Sequence, residues 1–210
     1  MRADSRNRTY AGILLLLAGL CAAACDKRQP PLPRLAPEDV VLAFGDSITY
    51  GTGAQTEDET YPQVLSQLIG RRVVRDAVPG EVTAQGLERL PASLEEHRPK
   101  LLLLCLGGND MLRNGDRTAA EANLRGMVQL ARERGVSVVL IGVPEPRLFG
   151  GIAGFYRRIA DDLGVPLEER ALPDILKDNR YKSDPIHPNA QGYRRMAEAI
   201  AALLREAGAI

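Results

Sequence analysis

Three side chains in this sequence have the types and spacing for nucleophilic catalysis. Ser47 stands in Gly45-Asp46-Ser47-Ile48-Thr49, directly after a short apolar run, so it falls at the carboxyl edge of a strand, where it opens a short helix. A serine hydroxyl is a weak nucleophile until a general base takes its proton, and that base must be held in one tautomer. The chain has two histidines, His97 and His187. His187 lies in Asp184-Pro185-Ile186-His187-Pro188. A three-residue offset within one turn can bring the Asp184 carboxylate to ring Nδ1 and leave Nε2 free to accept the serine proton. His97 lies in Glu95-Glu96-His97-Arg98-Pro99-Lys100, which reads as a solvated helix end. Ser47, His187 and Asp184 are therefore the candidate nucleophile, base and orienting acid.

Attack on a carbonyl creates an oxyanion that fixed N–H groups must meet. Two further strand ends offer them. Gly107-Gly108-Asn109-Asp110 places an amide side chain beside a Gly-opened backbone, and in Pro79-Gly80-Glu81 the Gly80 N–H can turn into the same crevice.

These pieces need a frame. From Val40 onward short, β-rich apolar runs alternate with longer amphipathic ones, the pattern of a parallel sheet covered by helices on both faces. Strands are expected at 40–44, 72–77, 101–106 and 136–143, with a weaker fifth near Val165. Helices are expected at 61–69, 83–90, 118–134, 154–163 and 190–207. In the last, Tyr193, Met196, Ala197, Ile200, Ala201 and Leu204 recur at helical spacing, with Gly208 just past the end. In such α/β sheets the ligand crevice lies beyond the carboxyl ends of the strands, where the candidate residues fall.

The 210 residues, 45% hydrophobic, suit one domain with a real core. The 27 basic and 27 acidic side chains give no excess of positive charge, so no nucleic-acid partner is expected. The three cysteines, at 21, 25 and 105, make neither a disulfide framework nor a Cys/His zinc site. Cys105, among strand leucines, reads as a buried apolar residue. Thr49 rather than Gly stands two after Ser47, so the G-x-S-x-G elbow is absent, and so are a P-loop and a complete dinucleotide loop.

Residues 1–24 read as an export signal: Arg2, Arg6 and Arg8 precede an apolar run that is too short to span a bilayer and ends in Ala22, Ala23 and Ala24. Cys25 then resembles a lipobox cysteine that becomes lipidated, with Ala22 standing where Leu is usual. The alternative is ordinary cleavage near Ala24 that releases a soluble periplasmic protein. Asp26, directly after Cys25, favours the inner membrane. Residues 25–38 carry Pro30, Pro31, Pro33 and Pro37 and read as a stiff extended tether, leaving 39–210 as the folded domain.

The blocks "AFGDSITYGTGA", "PGEVTAQGLERLP", "LGGNDMLR" and "SDPIHPNAQGY" resemble the SGNH-hydrolase superfamily, the GDSL esterases, over residues 40–210. They look most like its bacterial acyl-CoA thioesterase, lysophospholipase and arylesterase subgroup. The resemblance implies a three-layer flavodoxin-like fold with about five parallel strands and no metal or other cofactor. By similarity Ser47, Asp184 and His187 form the triad, and the Ser47 N–H, the Gly80 N–H and the Asn109 side chain form the oxyanion hole. Three residues depart from the pattern. Ile48 replaces the usual Leu, Arg75 stands where Asn is common, and Val82 where a hydroxyl residue is common; the last two bear on the support of Gly80.

The expected activity is hydrolysis of short- to medium-chain acyl esters or thioesters through an acyl-enzyme. The alternatives are a cell-envelope carbohydrate O-deacetylase and a non-catalytic ligand-binding lipoprotein. Leu148 and Phe149 are expected to line an acyl groove, whereas Phe155 is assigned to the buried face of the next helix. The 4% aromatic content and the lack of Trp argue against a sugar-stacking site.

Overall fold

The computed structural model describes residues 29–146 and 151–210. The signal segment, Cys25, Leu148 and Phe149 lie outside the described residues. The runs that are nearly continuous in Val and Leu become the middle of a parallel sheet. β1 (Val40–Gly45), β2 (Arg72–Ala77), β3 (Leu101–Cys105), β4 (Ser137–Ile141) and β5 (Leu167–Glu168) order as β2-β1-β3-β4-β5. β3 is buried along its whole length and β1 after its first residue, because helices cover both faces. β2 is an edge strand and accordingly carries Arg72, Arg75 and Asp76 among its apolar residues.

The helices are α1 (Ser47–Tyr50), α2 (Tyr61–Ile69), α3 (Thr83–His97), α4 (Gly108–Leu112), α5 (Arg117–Glu133), α6 (Gly154–Leu163), α7 (Ala171–Lys177) and α8 (Ala190–Glu206). α2 packs on α8 and α3 packs on α5, which gives the two outer layers of the expected three. α3 is longer than the sequence suggested. It runs through Pro91, which removes one intrahelical hydrogen bond, while Leu90, Ser93 and Leu94 stay buried on either side. β5 is only two residues long and lies slightly beyond Val165.

The proline-rich segment, expected as an extended tether, is from Gln29 no free spacer. The N–H groups of Leu32 and Leu35 donate to the carbonyls of Ala207 and Ala209, and Leu35 is buried in the core. The Gln29 side chain exchanges hydrogen bonds with the N–H and C=O of Leu167, capping the exposed edge of β5 as a further strand would.

The strand order reverses at β1. The chain leaves β1 for β2 on one side, then returns to β3 on the other, so the loops after β1 and β3 part and open a crevice between them. Ser47 follows β1 and Asn109 follows β3, which places both on that crevice.

Candidate active site

Ser47 is the first residue of α1, immediately after the Asp46 cap, whose Oδ1 accepts the Ile48 N–H at 3.1 Å. Ile48 is buried, so the Leu-to-Ile departure keeps its packing role. Behind the nucleophile, Arg75 donates to the Tyr50 carbonyl at 2.7 Å and lies 3.4 Å from Glu57. Arg75 thus braces the end of α1 rather than the Gly80 loop.

His187 arrives from the other end of the chain on a closed turn. Ser183 N–H donates to the His187 carbonyl and Asn189 N–H to the Tyr181 carbonyl, while the Asn189 side chain caps α8 at Gly192. Tyr193 on α8 donates to the Thr52 carbonyl at 2.7 Å, tying this turn to the loop after α1. Contact there is close enough to require Gly53, where an added Cβ would meet Ser183 Oγ and the Pro188 carbonyl. As a result, His187 Nε2 lies 2.9 Å from Ser47 Oγ, and Nδ1 lies 2.7 Å from Asp184 Oδ2. With Nδ1–H donating to Asp184, Nε2 is left as the acceptor facing the serine. Partial burial works to raise the Asp184 pKa. The His187 ring and the Ile186 and His187 N–H groups outweigh it and hold the carboxyl below its usual range.

Gly80 sits in a turn closed by the Glu81 N–H donating to the Val78 carbonyl at 3.1 Å. Pro79 at the second position and Gly80 at φ +81° make it a type II turn, which only a residue such as glycine fits at the third position. Among the described residues neither the Gly80 N–H nor the Ser47 N–H is taken by a protein acceptor. Asn109 Nδ2 is held between Asp46 Oδ2 at 3.1 Å and the Glu81 carbonyl at 3.0 Å. Val82 offers no cap to α3. Its place is taken by Asp110, which accepts from both the N–H and the hydroxyl of Thr83 at 2.9 and 2.7 Å.

Asp46 is fully buried beside the nucleophile. Desolvation raises its pKa from 3.8 to about 7, helped by the charges of Glu81 and Asp110, against the pull of the Ile48 N–H and the Asn109 amide. Cys105 is buried and desolvation pushes its thiol well up, as expected of an inert core cysteine. His97 ends α3 with Nε2 3.9 Å from Asp76 and does not line the crevice.

Beside Ser47 and His187 opens a crevice of about 580 Å³, walled by Ile48, Leu112, Val143, Pro173, Leu176 and Ile186. Sequence reasoning missed α7, which supplies Pro173 and Leu176; seven residues are too few for a periodic signal. Ile152 and Phe155 are buried, and the Phe155 ring lies 4.4 Å from that of Tyr156. Among the described residues no group of three or more His, Cys, Asp or Glu could hold a metal.

A serine whose hydroxyl meets an imidazole oriented by a carboxylate, set at the switch point of a doubly wound sheet, defines a serine hydrolase. The chain belongs to the GDSL-like lipase/acylhydrolase family, whose pattern matches residues 43–195. It is 30% identical over 196 residues to esterase TesA of Pseudomonas aeruginosa, covering 89% of this chain and 94% of that protein. It is 29% identical over 180 residues to thioesterase 1/protease 1/lysophospholipase L1 of Escherichia coli K12, covering 82% and 86%. A crystal structure of TesA superposes with a TM-score of 0.73 at 28% identity, covering 80% of this chain and 99% of that one. The five-stranded parallel sheet flanked by helices agrees with the fold that the resemblance implied.

Proposed function

We propose that the protein hydrolyses short- to medium-chain acyl esters and thioesters through an acyl-enzyme on Ser47. The observation that carries this reading is the relay of 2.9 Å from Ser47 Oγ to His187 Nε2 and 2.7 Å from Nδ1 to Asp184, opening on an apolar crevice. In this mechanism His187 takes the Ser47 proton as Oγ attacks the acyl carbonyl. The N–H groups of Ser47 and Gly80 and the Asn109 amide meet the oxyanion, with one Asn109 hydrogen shifting from its resting acceptor. Collapse expels the alcohol or thiol, which takes the proton from His187. A water activated by the same imidazole then releases the acid. The names of the two relatives support an acyl substrate, and the aliphatic walls of the crevice favour an acyl chain over a sugar. Purified protein assayed on p-nitrophenyl esters, acyl-CoA, lysophospholipid and acetylated glycan tests this. Turnover of the first three classes is expected, and hydrolysis of the glycan alone would replace the reading with the O-deacetylase.

We also propose that the chain is exported and lipidated at Cys25, on the strength of the basic start, the short apolar run and the small residues before that cysteine. Residues 26–28 alone separate Cys25 from the docked segment that begins at Gln29. At most about 3.6 Å per residue, this connection holds the body within roughly 15 Å of the leaflet. Mass spectrometry of the mature N-terminus should find acyl mass on Cys25, and an unmodified start would remove the anchor.

A further inference from the structure

Glu81 is one of three buried carboxylates among the described residues, with Asp46 and Glu168, and the proposed chemistry leaves it without a task. Its side chain is 4% exposed, and burying an ionised carboxylate is costly unless it is paired and hydrogen-bonded. It is paired with care. Arg89 Nε and Nη2 grip Oε1 and Oε2 at 2.8 Å each. The same guanidinium stacks 4.0 Å above the Phe44 ring and pairs with Asp76, so the fork is fixed to both β1 and β2. This two-point grip sets the orientation as well as the position of Glu81.

The backbone of Glu81 in turn touches both external oxyanion donors. Its N–H closes the type II turn that presents the Gly80 N–H, and its C=O accepts Asn109 Nδ2 at 3.0 Å. On the outer side, Arg113 Nη2 holds the Gly80 carbonyl at 2.7 Å. The loop after β2 is therefore gripped from beneath by Arg89 and from above by α4 and the residue that ends it, with Glu81 at the junction.

We propose that Glu81, anchored by Arg89, is a positioning residue that sets the Gly80 N–H and the Asn109 amide at the spacing an oxyanion needs. The inference rests on the reading of Gly80 and Asn109 as oxyanion donors. It also explains how this chain dispenses with an Asn at position 75 and a hydroxyl at position 82. The brace on the Gly80 loop comes from Glu81, Arg89 and Arg113 instead.

The test is steady-state kinetics on p-nitrophenyl butyrate, per active site titrated with a fluorophosphonate, together with inhibition by phenylboronic acid, whose serine adduct is tetrahedral. Glu81→Gln keeps the shape and removes the charge. Misplaced donors should lower kcat by about 10- to 100-fold with KM unchanged, as small misplacements do. The boronate inhibition constant should rise in parallel. Arg89→Lys, which loses the two-point fork, should follow. Arg113 is exposed, so Arg113→Ala keeps the fold even if the buried variants do not, and it should show a smaller loss in the same direction. Full kcat per titrated site, or a change confined to KM or thermal stability, overturns the positioning role. Asn109→Ala separates the two levels. If it is impaired while Glu81→Gln and Arg113→Ala are not, only the positioning role fails; if it too is unimpaired, the oxyanion reading fails with it.

Discussion

Asp184 reaches His187 twice: Oδ2 lies 2.7 Å from ring Nδ1, and Oδ1 lies 2.9 Å from the backbone N–H of the same residue. Oδ1 also accepts the Ile186 N–H at 2.8 Å, so one carboxylate both builds the turn and orients the ring. The two tasks separate by substitution. Asp184→Asn can keep Oδ1 on the backbone but presents an NH₂ to Nδ1, which stabilises the tautomer with its proton on Nε2. Activity should fall by up to about 10⁴-fold with the melting temperature preserved. Asp184→Ala should lose activity and melt lower as well. Paired kinetics and thermal melts check this; equal melting of the two variants would show that the turn does not depend on Oδ1.

Asn109→Ala should lower kcat by about 10²- to 10³-fold with little change in KM, because a donor to the oxyanion acts on the transition state. A rise in KM alone would show that Asn109 binds the substrate in its ground state.

Asp46 gives the folded protein a pH dependence of definite sign. Its pKa stands at about 7 in the folded state against 3.8 for a free carboxyl, so between those values the native state holds a proton that the unfolded chain has lost. Stability therefore falls as pH rises from about 4 to about 7 and is flat above, by on the order of 4 kcal/mol from this group. Asp184, held below its usual range, acts in the opposite sense at lower pH. Its contribution is present above the unfolded pKa and is lost as pH falls through the folded one. Asp46→Asn should remove the first slope, so its stability relative to wild type should improve between pH 5 and pH 8. Denaturant melts at the two pH values check this, and a pH-independent difference would contradict it.

Leu112 lines the crevice and is 43% exposed, so truncating it should not disturb the core. Each acyl methylene buried against apolar walls is worth about 0.8 kcal/mol. Leu112→Ser should therefore lower kcat/KM for p-nitrophenyl octanoate while leaving the acetate ester unaffected. An equal loss on both esters would place the acyl chain elsewhere.

The triad and the central strands were legible in the sequence because each rests on local signals. Ser47 follows an apolar strand directly, and Asp184 and His187 share one turn. What was hidden depends on partners distant in sequence. Proline content suggests a tether over residues 29–37 but does not reveal that Leu35 seats in the core or that Gln29 caps β5. The helix expected over 83–90 runs on to His97 because the burial of Ser93 and Leu94 cannot be read locally. Arg75 and Val82 looked like lost support for Gly80, since the grips of Arg89, Asp110 and Arg113 join residues that no motif groups together.

The most direct test of Ser47 as a nucleophile activated by His187 is labelling of the intact protein with a fluorophosphonate, read by mass spectrometry and peptide mapping. One adduct per chain is expected, on Ser47, and it should be absent in Ser47→Ala, lost or greatly slowed in His187→Ala, and retained at full rate in His97→Ala. Labelling at another residue, or labelling that survives His187→Ala but not His97→Ala, would contradict the assignment of nucleophile and base.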